Sequence, residues 1–364
     1  MDFSYSEDQQ ALRELARKIL EERATHDRLK EIKKSPERID HELWRELAKA
    51  NLLGVAIPEA FGGNGTGLPE LLILAEEIGR AVAPVPVLAT LVEAALPIAA
   101  FGSEAQKKRW LPAVASGDAI LTAALAEGPG ANVTAKKDGA GYRLTGRRPL
   151  VHAAHVAQCL VVPAKLGGSD ALFLVDPQAA GVSLERVETT DEQIRPHLAL
   201  ASAPAEPLGD VARGDEMLRW TLDRALLALC AMQVSVAERA LQITARYVTE
   251  RKQFDRPVGS FQAVHTRAGD AYVDLQAMRL TTWRALHLLE QGEPAENELA
   301  IAKFWASEGG ARITYAAQHL HGGIGVDIDY PVHRYYLWAR QIGIHLGTGS
   351  AQLAKLGERL AAES

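Results

Sequence analysis

The chain has 364 residues, which at the usual domain size of ~150 residues leaves room for two to three domains. Apolar residues make up 47% and charged residues 24%, the mix of an ordinary globular chain that can bury a core without metal or disulfide staples. With 40 basic and 46 acidic residues the formal charge is −6, which argues against non-specific nucleic-acid binding, since that needs a basic field.

Only two cysteines occur, Cys159 and Cys230, both in apolar runs that suit small core residues. Neither a CxxC nor a Cys/His ligand spacing is present, so neither a zinc site nor a disulfide framework is expected. No apolar run approaches the ~18 residues of a membrane-crossing helix. The acidic start, Met1-Asp2-Phe3-Ser4-Tyr5-Ser6-Glu7-Asp8, is unlike a signal peptide. The expectation is a cytoplasmic protein with no membrane partner.

The first stretch reads as helical. Ser6 followed by Gln9 has the form of a capping box, and Leu12, Leu15, Ala16, Ile19 and Leu20 recur at helical spacing. Leu43, Trp44, Leu47 and Leu52 continue the pattern after Pro36. A breaker-rich loop, Gly54 to Gly65, follows. Further helices are expected over 68–82, over 86–101 and from Ser103 to about Trp110. Between about 120 and 212 short β-like runs alternate with turns: Ile120–Ala126, Tyr142–Leu144, Cys159–Pro163, Ala171–Val175, Val182–Val187 and His197–Ala201. That rhythm suggests a small barrel or sandwich. Helices return near 215. Leu222, Leu226, Leu229, Val236, Ala240, Ile243 and Tyr247 form one face, and the helix should stop before Arg256-Pro257. A second helix spans Phe261 to Leu288 and a third runs from about Glu296 to Leu320. A last helix starts near Ser350. The division is therefore a helical domain over 1–115, a middle β domain over 116–213 and a helical bundle over 214–364. The fold class is α+β, with the last domain a four-helix arrangement.

Two motifs stand out. Tyr247 to Gln262 places cations at a helix C-terminus, where the dipole favours them, then a turn and an aromatic start to the next helix. It can be a plain helix–turn–helix corner. It can also be an anion site, because the Arg251 fork suits a diphosphate and Phe254 offers a flat face to a ring. Gln318-His319-Leu320-His321-Gly322-Gly323-Ile324-Gly325 is a helix end with glycines that allow close backbone approach.

Together these segments resemble the acyl-CoA dehydrogenase family over essentially the whole chain, with Pro58-Glu59 and Gly62-Gly63 as a further match. The resemblance implies an N-terminal helical domain, a middle β-barrel or sandwich and a C-terminal four-helix bundle. It implies a tetramer that uses FAD, in which the flavin takes a hydride from the β carbon of an acyl-CoA while a glutamate removes the α proton. The Arg251/Phe254 corner with Gln262, and the loop of Gln318, His319, Gly322 and Gly323, would contact the diphosphate and adenosine of a neighbour's flavin. An electron-transfer flavoprotein would be the acceptor.

The chain departs from the family pattern at the base. Where the family has Glu-Gly-Thr, this chain has Leu346-Gly347-Thr348, and Ala225 occupies the alternative glutamate position on the first bundle helix. Asp223, two residues off, is turned about 200° around the helix. Near the flavin ring, Ala126-Glu127-Gly128, Gly130-Ala131-Asn132 and Leu150-Val151-His152 replace Thr-Glu-Pro, Gly-Ser-Asp and Trp-Ile-Thr. His319 stands where glutamine is common. What would serve the chain's own flavin is lost, while what would serve a neighbour's is kept. That pattern resembles the heteromeric acyl-CoA dehydrogenases of bacterial steroid side-chain degradation, heterotetramers with two copies of each subunit type. The expectation is a subunit with no catalytic residue and no metal, partnered by a homologous base-bearing subunit. One alternative is a self-sufficient homotetramer with Asp223, His345 or Glu127 as base. Another is an acyl-CoA-binding or assembly protein.

Overall fold

The computed structural model describes residues 4–126, 128, 131–139 and 141–363. Glu127 and Gly130, singled out above, lie outside them. The chain divides into two compact units. One holds Ser6–Leu74 and Pro84–Ala225; the other holds Met1–Tyr5, Ala75–Ala83 and Leu226–Ser364.

The first unit opens with α1 (Glu7–Arg23), α2 (His26–Lys34) and α3 (His41–Lys49). The Ser6–Gln9 capping box forms as the sequence predicts, with each residue's side chain bonded to the other's backbone N–H. Trp44 is 1% exposed, and its indole donates to the carbonyl of Gly117 at 3.1 Å. Helix α4 (Leu68–Ala81) follows and contributes residues to both units. The predicted helix over 86–101 is a wide π-turn, Leu88–Ala95, running into α5 (Leu96–Phe101). Helix α6 (Glu104–Ala115) is opened by a second capping box, Ser103 with Gln106.

The β layer is seven-stranded: β1 (Leu121–Ala123), β2 (Val133–Asp138), β3 (Gly141–Arg148), β4 (Cys159–Leu166), β5 (Ser169–Val175), β6 (Val182–Glu185) and β7 (His197–Pro207). The pairing runs β4-β2-β3-β7-β5, and β5 pairs back onto β4, so the sheet closes on itself as a small barrel. Closure removes the exposed edges an open sheet would carry. Strands β4 and β5 are almost wholly buried, which explains their continuous apolar runs, and they pair antiparallel from Leu160↔Val175 to Leu166↔Ser169. Cys159 is a buried free thiol in this layer.

Helix α7 (Gly214–Glu250) contributes residues to both units. The stretch Val211–Glu250 corrects the expectation about apolar runs, since by length and composition it is apolar enough to cross a membrane. Most of its apolar window is buried inside the protein, as in a core helix. The second unit adds α8 (Gln262–Gln291), α9 (Glu296–His321), α10 (Val332–Ile344) and α11 (Gly349–Glu363). Helix α10 falls in a segment for which the sequence predicts no helix, so the unit has one helix beyond the expected four. Val234 and Ala237 of α7, Ala271, Leu275 and Met278 of α8 and Ile313 of α9 form its core cluster. Around that core Arg312 grips Asp274 with two bonds of 2.7 and 2.8 Å, and Arg279 reaches Glu238 at 2.8 Å.

Lys303 on α9 is fully buried. Its Nζ donates to the carbonyls of Ile342 (2.9 Å) and Gly343 (3.0 Å) near the end of α10 and to Ser307 Oγ (3.1 Å). Ser307 in turn donates to the Gly343 carbonyl at 2.9 Å. Three ammonium donors thus meet three acceptors at a helix C-terminus, where the dipole favours a cation. Burial pulls the lysine pKa down to about 8. Cys230 is buried in the same unit.

Candidate functional site

The corner after α7 is built from a tight hairpin. β8 (Lys252–Gln253) pairs with β9 (Arg256–Pro257), with Gln253 opposite Arg256. The two residues between them, Phe254 and Asp255, have φ of 54° and 60°. Paired positive φ values match the right-handed twist of a two-residue hairpin, and aspartate tolerates them, but phenylalanine does not favour them. Phe254 is also 87% exposed. An aromatic held in the left-handed region and left mostly in solvent gains little from packing, which points to a functional role. Arg256 lies over the Phe261 ring at 4.0 Å, and Phe261 meets Phe254 edge-on at 6.2 Å. Arg251 and Gln262 are exposed on either side of this hairpin.

The loop after α9 ends at the same place. Helix α9 stops at His321, and Gly322 takes φ 65° as the chain turns away. A Cβ built on Gly322 or Gly323 meets nothing within 4 Å, whereas one on Gly325 would strike the Gln318 carbonyl at 2.6 Å. The first two glycines therefore keep an open surface for close approach, and Gly325 packs the loop. Gln318 donates weakly to the Gly325 carbonyl at 3.4 Å. His319 is exposed, and its Nδ1 accepts from Arg267 of α8 at 2.5 Å. The corner and the loop are joined underneath by Tyr247 stacked on His321, with ring centroids 4.4 Å apart. So Arg251, Phe254, Gln262, Gln318, His319, Gly322 and Gly323 all lie at one end of the bundle. The joining residues stand in both quoted motifs, but nothing in either motif signals the stack.

The base positions are aliphatic. Leu346 is half-buried with φ 55°, and its carbonyl accepts from Gln352 Nε2 at 3.1 Å. Ala225 is fully buried on α7 and Asp223 is half-buried. In the first unit Leu150 is half-buried with φ 48°, and its N–H donates to His197 Nδ1 at 3.2 Å. His152, which the sequence leaves open as either a hydrogen-bonding residue or a surface or loop histidine, is buried, and its carbonyl accepts from Thr122 Oγ1 at 2.6 Å.

Comparisons with known proteins give the family. Residues 6–118 match the acyl-CoA dehydrogenase N-terminal domain and residues 212–361 match the acyl-CoA dehydrogenase C-terminal domain. Acyl-CoA dehydrogenase FadE27 of Mycobacterium tuberculosis is 40% identical over 99% of both chains. The chain belongs to the acyl-CoA dehydrogenase family. Among solved structures it is similar to a chain of the ChsE4-ChsE5 complex from Mycobacterium tuberculosis, at 40% identity over 99% of both chains and TM-score 0.95. It is also similar to a chain of the Tcur3481-Tcur3483 steroid ACAD, at 47% identity over 98% of both chains and TM-score 0.93.

An acyl-CoA dehydrogenase is an oxidoreductase, and the family's cofactor is FAD. The two ends of that cofactor meet different fits in this chain. The bundle end offers a guanidinium, an exposed flat ring and two glycines with open surfaces, which suit a diphosphate and an adenosine. At the ring and base positions Ala126, Leu150 and Leu346 carry neither hydroxyl nor carboxylate, and leucine can accept no proton.

Proposed function

We propose that this chain is the non-catalytic subunit of a heteromeric FAD-dependent acyl-CoA dehydrogenase. It pairs with a homologous base-bearing subunit in a heterotetramer with two copies of each, and it acts in the cytoplasm. The substrate is an acyl-CoA thioester desaturated between its α and β carbons, and a steroid side-chain CoA ester is the class we favour. FAD supplies the hydride acceptor. Arg251 would neutralise the diphosphate held by the partner, with Phe254 and Gln262 beside it, and Gly322 and Gly323 would let the backbone approach the adenosine near Gln318 and His319. The chain's own Leu346 and Ala225 leave proton abstraction to the partner, because a general base must stand within hydrogen-bond reach of the proton. Electrons pass on to an electron-transfer flavoprotein. The division of the chain at 115/116 and 213/214 is proposed on the change from helices to strands and back.

One observation carries this reading: the losses are sorted. Ala126, Leu150, Leu346 and Ala225, at positions that would serve the chain's own flavin ring or base, are aliphatic, while Arg251, Phe254, Gly322 and Gly323, which would serve a neighbour's flavin, are kept. The relatedness to steroid ACAD and ChsE4-ChsE5 chains supports it. Expressed alone, the chain should bind little FAD and desaturate no acyl-CoA, and co-expression with the base-bearing subunit should yield activity. Full activity from the chain alone refutes the proposal. A homotetramer with four flavins would instead favour a self-sufficient enzyme. An Arg251→Ala variant with unchanged flavin content and unchanged partner activity would favour an assembly protein.

A further inference from the structure

Tyr247 lies in the last turn of α7, where its carbonyl accepts from the N–H of Arg251 just beyond the helix at 2.8 Å, and His321 is the last residue of α9, directly before Gly322. Their rings stack at 4.4 Å with 27° between the planes, and Tyr330 closes on both, 5.2 Å from His321 and 6.3 Å from Tyr247. We infer that His321 is the positioning residue of this end of the bundle. Its ring, bonded to Ala317 and clamped by the two tyrosines, locks the Arg251–Phe254 corner to the Gly322–Gly323 loop so that both meet one ligand. This rests on the reading that corner and loop contact a partner's FAD.

The chemistry of the ring supports the role. His321 is 4% exposed, and its Nδ1 lies 2.7 Å from the Ala317 carbonyl. A carbonyl only accepts, so Nδ1 carries the proton. That bond and the stack on Tyr247 both hold the plane of the ring, and with it the residue from which the glycine loop departs. A leucine would fill the same space without setting an orientation. Nε2 is buried and has no hydrogen-bond partner among the described residues. A neutral imidazole leaves there only an acceptor facing aromatic rings. An imidazolium would bury an unmatched N–H and a charge.

Burial accordingly holds the pKa of His321 below the ordinary histidine range. The groups facing it are Tyr247 from α7 and Tyr330 from the loop before α10. Arg246 and Glu250 of α7 act on Tyr330 and are bonded to each other at 2.8 Å. Because the folded-state pKa is depressed, the stack is intact above the usual histidine pKa. It weakens as pH falls below that value.

The test uses the complex with the co-expressed base-bearing subunit and reads the Kd for FAD by release of flavin fluorescence, from about pH 8 to about pH 5. His321→Ala should weaken FAD binding by about tenfold or more, since two orienting contacts are lost together. His321→Phe keeps the stack and should hold FAD within about threefold of wild type near neutral pH. It should also abolish the acid-side loss, which a merely space-filling role would not predict. If His321→Ala does not fold, Tyr247→Leu removes the stack from the other side and carries the same expectation. Arg251→Ala is the control. Weaker FAD binding in Arg251→Ala with none in His321→Ala overturns this inference alone. Unchanged binding in both overturns the reading it rests on. An acid-side loss that persists in His321→Phe also overturns it.

Discussion

Replacing Lys303 with methionine removes a fully buried ammonium while keeping an unbranched side chain of similar length. In the unfolded chain this lysine titrates at its usual 10.5, and in the folded protein burial pulls it down to about 8. Between those values the unfolded chain binds more protons than the folded one, so stability rises with pH there. The two pKa values together amount to about 3 kcal/mol of cost at neutral pH, released as the lysine deprotonates. Urea unfolding followed by far-UV circular dichroism, for wild type and Lys303→Met, reads this directly. Other titrations are common to both proteins and cancel in the difference. Between about pH 7.5 and about pH 9.5 the wild type should gain about 2 kcal/mol on the variant. A difference that is constant with pH, or that moves the other way, refutes the burial of a titrating ammonium at the end of α10.

Three further outcomes follow from the same structure. Burial pushes the thiols of both Cys159 and Cys230 up to about 12, so a disulfide reagent near pH 8 should label neither in the folded chain and both in denaturant. Ser103→Ala removes half of the capping box on α6 and should cost about 1 kcal/mol in denaturant unfolding, with no change in flavin content of the complex. Leu346→Glu restores a carboxylate at the base position but leaves Ala126 and Leu150 as they are. The lone variant should therefore still fail to bleach flavin with acyl-CoA, and bleaching would show that the base alone was missing.

What the sequence reveals is mostly local. The capping boxes at Ser6 and Ser103 form as their spacing predicts, because each needs only residues three apart. Strands β4 and β5 announce themselves as apolar runs because both of their faces are buried. Strand β2 escapes notice because Lys136, Lys137 and Asp138 are exposed and break the alternation. Helix α10 is hidden by Pro331 and its mixture of His, Arg and Tyr. Pro331 sits at its N-cap, and His333, Arg334 and Tyr335 are buried in its first turns. The hairpin at 252–257 carries no Asn-Gly or Asp-Gly signal, since Phe254 holds a positive φ against its preference. The candidate site divides in the same way. The corner and the glycine loop are each contiguous motifs, so their residues can be read off. Their joining by Tyr247, His321 and Tyr330 depends on how α7 and α9 pack, and no pattern within either motif encodes it.

On the proposed function, the chain completes a flavin site it does not own. The most direct measurement is flavin per chain in the purified complex with the base-bearing subunit, with mass and subunit ratio determined on the same sample. The account predicts equal numbers of the two subunits and one flavin for every two chains, lost when Arg251 is replaced by alanine. One flavin per chain, or flavin held by this chain when purified alone, would contradict it.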